Sequence, residues 1–279
     1  MCVCVCVCVR VRVRVRACIL LLFSSIFSET YQPVYPFYIY CFCRERNQTL
    51  QIIAKDYGNF VNVDTTRPNG IKRAQKLGLV PSRIAGAIFS PYAHEISSLF
   101  DHKHKGRFFT MMRDPVSRIV SMYYYHQVQG LLPSEDTTIV QFVAMNEENW
   151  MTRMLTNKMT GKIGAADLDV AKEVLRRKFV IGLWEDKTES MRRIEQYFSW
   201  KFPSPVAQNC KNDKLYFEWN NKNPHPSIEN EDELILQIQK MNRFDVELYA
   251  YAKQLYREQE NMFWAGSGGG GGMDGSGLR

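Results

Sequence analysis

The chain has 279 residues, 45% of them hydrophobic and 23% charged, which excludes a disordered or collagen-like protein and allows one sizeable core. Its net charge of +7 overstates its basicity, because Arg10, Arg12, Arg14 and Arg16 lie in an acid-free leader and the remainder carries only +3. That argues against a nucleic-acid binder. Seven of the eight cysteines precede residue 44 and only Cys210 follows, so no disulfide framework is expected in the body.

Residues 2–16 alternate Cys-Val and then Arg-Val. The alternation has strand period, yet it resembles a translated dinucleotide repeat more than a selected fold, and it is set aside as a low-complexity leader. Its thiols have no histidine or carboxylate beside them, so no metal site is expected. Ala17 to Phe27 is apolar, follows arginines and precedes Ser28-Glu29-Thr30. It reaches about half the ~20 residues that cross a bilayer, the plan of a signal peptide or short signal-anchor, with a spurious start as the bland alternative. The organisation expected is a leader over 1–35, a folded domain over 36–265, and a glycine-rich disordered tail over 266–279.

Within the body, short apolar runs alternate with helical patterns, which predicts an α/β fold. Phe37 to Phe42 reads as a strand. Asn47 to Tyr57 reads as a helix with Leu50, Ile53, Ala54 and Tyr57 on one face. Strands are expected over Asn59 to Val63 and Ile84 to Phe89, then a short helix over His94 to Phe100. The run Asp101-His102-Lys103-His104-Lys105 reads as a solvated loop. Arg107 to Met112 is a strongly apolar strand running straight into Arg113-Asp114-Pro115. Helices follow over Val116 to Gln129, Thr138 to Met145 and Leu168 to Lys178, then a buried strand over Phe179 to Leu183 and a helix over Glu189 to Trp200. Asp232 to Phe263 reads as helical with a break near Asn242 and Arg243.

The junction at Asp114 is the most informative point. Asp114 suits an N-cap and Pro115 the first helical position, where a missing N–H costs nothing. A strand ending and a helix beginning there sets free backbone N–H groups and a positive helix end beside Arg113, an arrangement suited to an anion. Val116, Ile119, Val120, Tyr123 and Tyr124 form the buried stripe, while Ser117 and Ser121 lie one turn apart on its flank. The bland alternative is a capped helix with a surface-paired arginine and solvated serines.

The segment FFTMMRDPVSRIVSMYYY resembles the 3′-phosphate-binding segment of the Golgi carbohydrate sulfotransferases, in the group similar to heparan sulfate 2-O- and 6-O-sulfotransferases. SPYAHE upstream, NWMTRML, FVIGLWEDKTESM and FDVELYAYAKQLY agree in order, and the resemblance covers roughly residues 47–263. It implies a P-loop-like three-layer α/β sandwich with a central, mostly parallel sheet. It further implies binding of 3′-phosphoadenosine 5′-phosphosulfate, transfer of its sulfuryl group to a glycan hydroxyl, and a place in the Golgi lumen, with residues 17–27 as a candidate membrane anchor. By the resemblance Arg113 and Ser121 hold the 3′-phosphate, with Ser117 beside them, and Asn149 and Arg153 contact the acceptor.

Two stretches depart from the family pattern. Where relatives carry a segment like Pro-Lys-x-Gly-x-Thr-Thr, this chain reads Cys43 to Leu50 with no glycine; Arg44 stands at the lysine and Thr49 is the hydroxyl retained. The histidine that serves relatives as base is absent at Gly86-Ala87-Ile88, which leaves His94 as the candidate base and Glu95 behind it. The competing expectation is therefore an inactive relative that binds nucleotide or sulfated glycan without turnover. A nucleotide kinase ranks last, because its glycine-rich loop ending in Lys-Ser/Thr is absent.

Overall fold

The computed structural model describes residues 5–9, 48–55, 58–145, 148–200, 205, 226, 228 and 232–264. It is a mixed α/β fold built on a small sheet of β1 (Val5–Val9), β4 (Ala87–Ser90), β5 (Gly106–Met112) and β6 (Phe179–Leu183), in the order β4-β1-β5-β6. β5 and β6 pair in parallel from Phe108 opposite Phe179 to Met112 opposite Leu183. β1 pairs antiparallel with both neighbours, Val7 lying opposite Ile88 on one side and Phe108 on the other. β4, β5 and β6 thus point one way and end at one edge, with β1 running against them.

That strand corrects the reading of residues 1–35 as a leader outside the domain, at least for residues 5–9. The alternation set aside as low complexity has the period of a strand, and its valines carry β propensity. A second correction concerns Asn47 to Tyr57. In place of a helix, β2 (Ile52–Lys55) and β3 (Gly58–Val61) form an antiparallel pair, Ile52 opposite Val61 and Lys55 opposite Gly58. Asn62, 1% exposed, closes its base: Oδ1 accepts from Gln51 N at 2.9 Å and Nδ2 donates to Thr49 O at 3.0 Å.

Between β3 and β6 come α1 (Pro68–Lys76), α2 (Leu79–Ser82), α3 (Ala93–Ser97), α4 (Pro115–Val128), α5 (Ile139–Met145), α6 (Trp150–Thr156) and α7 (Ala165–Lys178). After β6 come α8 (Lys187–Phe198), α9 (Asp232–Met241), α10 (Arg243–Glu258) and α11 (Glu260–Trp264). The break expected near Asn242 is where α9 gives way to α10.

β6 and the carboxyl half of β5 are buried throughout, so their alternating side chains enter the core on both faces. Met112, Phe179, Ile181 and Leu183 join Leu168 and Leu175 of α7 and Leu248, Ala252 and Leu255 of α10. Phe109, Met111 and Val180 join Met191 and Ile194 of α8, with Trp184, Tyr197 and Trp200 packed around them as core aromatics. The outer edge of β6 is closed by one side chain: Gln259 accepts from Ile181 N at 2.9 Å and donates to Phe179 O at 2.8 Å. An amide with both functions substitutes for a neighbouring strand. Ser190 does the same at the strand's end, accepting from Leu183 N at 2.8 Å and donating to Leu183 O at 3.1 Å.

The strand expected over Phe37 to Phe42, the apolar stretch Ala17 to Phe27 and the tail over 266–279 lie outside the described residues. Among the described residues no helix is long and apolar enough to cross a membrane.

Candidate anion site at the carboxyl edge of the sheet

β5 ends at Met112, whose carbonyl accepts from Trp184 N at 2.7 Å, so the ladder with β6 runs to the edge. Arg113 follows directly, and Glu185, two residues after β6, reaches the turn behind it through its bond to Asp114 N. α4 begins as the sequence predicts: Asp114 is the N-cap, its carboxylate accepting from Ser117 N at 2.8 Å, and Pro115 occupies the first turn. Arg113 is half-buried. Burial lowers the pKa of its guanidinium from the usual value, while the charges of Glu185 and Asp114 act the other way. An arginine keeps its proton regardless, and a buried guanidinium calls for partners that compensate its charge.

The backbone contributes less than the sequence suggests. Asp114 N donates to Glu185 Oε1 at 3.0 Å, Ser117 N to Asp114 Oδ1, and Arg118 N to Asp114 O at 2.9 Å. These donors of the turn are spent within the chain, and proline has none to offer. The expectation of free N–H groups beside Arg113 is narrowed accordingly: the cap that identifies the turn engages the amides of Asp114, Ser117 and Arg118. Ser117 is exposed in the first turn of α4, and Ser121 is half-buried one turn further on.

Two acidic residues after β6 connect this edge to α10. Glu185 Oε2 accepts from the Tyr249 hydroxyl, and Asp186 Oδ2 accepts from the Tyr256 hydroxyl at 2.8 Å. Burial first, and then these carboxylate partners, raise both phenols; Tyr256 is pushed up to about 12. Deeper in, Arg118 is 4% exposed and sits 3.8 Å from the carboxylate of Asp245, which is fully buried. Burial raises the Asp245 pKa, and the positive charge of Arg118 is the largest effect holding it down. Sequence reasoning missed Glu185 and Tyr249, which bond each other, and the buried Asp245. The available signal was the placement of Asp245, Tyr249 and Tyr256 on one face of a helix.

The other predicted residues are placed elsewhere. Asn149 is 3% exposed and adopts a left-handed conformation, φ 56° and ψ 46°. Its Oδ1 accepts from Phe244 N at 2.8 Å and Asp245 N at 3.2 Å, and its Nδ2 donates to Met241 O at 3.2 Å. In return Asp245 accepts from Met151 N at 2.9 Å and Thr152 N at 2.8 Å. The N-termini of α6 and α10 therefore cap each other, which satisfies donors that would otherwise be buried unpaired. Arg153 is 4% exposed and donates to Glu148 O and Oε1, Lys158 O and Gly161 O at 2.7–3.1 Å. Both side chains expected to meet an acceptor are employed inside the fold.

His94 is half-buried on α3, and its Nε2 lies 2.8 Å from Leu155 O. That nitrogen donates, so the lone pair sits on Nδ1. Thr49 is exposed and leads into the β2–β3 pair rather than the first turn of a helix, whereas a phosphate loop joins a strand to a helix N-terminus. Arg44 lies outside the described residues. Among the described residues no group of histidine, cysteine and acidic side chains is arranged to hold a metal.

No family model, curated protein or solved structure matches the chain.

Proposed function

We propose that the chain binds 3′-phosphoadenosine 5′-phosphosulfate at the carboxyl edge of its sheet and transfers the sulfuryl group to a carbohydrate hydroxyl. The observation that carries this reading is the half-buried Arg113 at the end of a parallel strand, directly before a capped helix that carries Ser117 and Ser121. A guanidinium in that position can take two oxygens of the 3′-phosphate, and Ser121 a third. Extending the reading to the architecture makes the sheet the centre of a P-loop-like three-layer sandwich. It also puts the protein in the Golgi lumen, held there through residues 17–27, with glycan as its partner.

In the transfer itself an acceptor hydroxyl oxygen attacks sulfur in line. The new S–O bond forms as the bond to the 5′-phosphate breaks, leaving adenosine 3′,5′-bisphosphate to carry the charge. The hydroxyl proton goes to a base, for which His94 Nδ1 is the candidate, its ring held by the bond to Leu155 O. Radiolabelled sulfate transfer from the donor to glycan acceptors tests this: label should appear with the wild-type chain and fall at least tenfold with Arg113→Ala, a loss in keeping with one charge-assisted contact of about 1.5–3 kcal/mol. No transfer by the wild type contradicts it.

One observation favours a second reading, in which nucleotide or sulfated glycan binds without turnover. The segment that would supply a phosphate loop runs from Thr49 into a strand pair, so the contacts that stabilise a leaving phosphate are not built there. Donor binding without label transfer selects this reading.

A further inference from the structure

Glu185 is exposed, yet each of its carboxylate oxygens holds a donor from a different part of the fold. Oε1 accepts from Asp114 N at 3.0 Å, in the turn between β5 and α4, and Oε2 accepts from the Tyr249 hydroxyl on α10. An exposed glutamate normally samples several rotamers, since fixing one costs side-chain entropy. Here Tyr249, 5% exposed and itself immobilised in the core, fixes the far oxygen. The near oxygen then grips the peptide unit that joins Arg113 to Asp114.

We infer that Glu185 is a positioning residue for the Arg113 site, its carboxylate tying the Arg113–Asp114 peptide to α10 and thereby fixing the direction in which the guanidinium leaves the sheet. The inference rests on the reading of Arg113 as the phosphate contact and adds the residue on which its aim depends. Precise placement matters because a bidentate guanidinium–phosphate contact requires both N–H···O bonds to be aligned at once. Tyr249 is the second member of the device, since without its hydroxyl the carboxylate regains its freedom to turn. The negative charge of Glu185 also reaches Arg113 and supports its positive charge against burial.

Two readouts test it on the full chain: amide hydrogen exchange at Asp114 without ligand, and affinity for adenosine 3′,5′-bisphosphate. Glu185→Ala should speed Asp114 exchange and weaken the nucleotide about tenfold, the scale of one charge-assisted hydrogen bond. Glu185→Gln keeps an acceptor for the Asp114 N–H and should return affinity to within about threefold of wild type. Tyr249→Phe should fall between Glu185→Ala and wild type in both readouts. Unchanged exchange in Glu185→Ala overturns the inference, and so does a glutamine variant as weak as the alanine one. If Arg113→Ala weakens binding while Glu185→Ala does not, the positioning role alone fails. If wild type and Arg113→Ala bind equally, or neither binds, the donor reading fails and takes this role with it.

Discussion

His126 on α4 shows how a single buried group converts into a pH dependence. Its ring lies edge-on to Phe142 at 5.1 Å and near Tyr125 at 6.0 Å, and its Nε2 is buried without a hydrogen-bond partner. Burial lowers its pKa below the ordinary 6.5. The unfolded chain therefore binds the proton more readily than the folded one. This stabilising contribution is complete above the unfolded value and is lost as pH falls through it towards the lower folded value. Replacing the ring by phenylalanine should flatten stability between pH 7 and 5, read from urea midpoints at several pH values. An unaltered slope would show that another group is responsible. Asp245 makes the opposite demonstration at the same scale. Its carboxylate is fully buried, receives Met151 N, Thr152 N and the Thr152 hydroxyl, and neighbours Arg118. Asp245→Ala strands these donors and removes the buried carboxylate beside Arg118, and should cost about 3–5 kcal/mol in denaturant unfolding. A loss below about 1 kcal/mol would mean that water substitutes for the carboxylate.

At the scale of elements, β6 is fixed on every side. A Cβ at Gly182 would run into Met111 Sδ and lie 3.2 Å from Ser190 Cβ and 3.3 Å from Thr110 O. Gly182→Ala should therefore destabilise by about 1–3 kcal/mol through overpacking, although alanine is no worse than glycine in an open strand. Equal thermal midpoints would show that Met111 swings away without strain. The same elements show what the sequence makes legible. β5, β6, the Asp114-Pro115 start of α4 and the break at Asn242 are local signals, each written in adjacent residues, and the structure has them where the patterns predict. Ile52–Lys55 reads as helix because Leu50, Ile53, Ala54 and Tyr57 fit a helical period over a stretch too short to distinguish it from a strand, whereas its partner Gly58–Val61 falls where the strand over Asn59 to Val63 is expected. The Glu185–Tyr249 and Asn149–Asp245 contacts join residues distant in sequence, so no local pattern announces them. For the same reason Asn149 and Arg153 read as site residues: a polar helix face looks alike whether it meets a ligand or another helix end.

Over the whole molecule, the arrangement turns on β1. It lies between β4 and β5 and, among the described strands of the sheet, is the one that runs antiparallel to the rest. Val7 is central in both ladders, so Val7→Pro removes a backbone donor and imposes a fixed φ in an interior strand, and should lower the thermal midpoint. If residues 5–9 lie outside the domain, as their repetitive sequence suggests, the substitution leaves the thermal midpoint unchanged. Beside this sheet Arg113 follows β5, Ser117 and Ser121 lie on α4, and Glu185 joins the β5–α4 turn to Tyr249 of α10. Isothermal calorimetry of adenosine 3′,5′-bisphosphate against the wild-type chain, Arg113→Ala and Ser121→Ala tests most directly whether these side chains form one phosphate site. The account predicts that binding weakens by about 1.5–3 kcal/mol without the guanidinium and by about 1 kcal/mol without the hydroxyl; equal affinities for wild type and Arg113→Ala would contradict it.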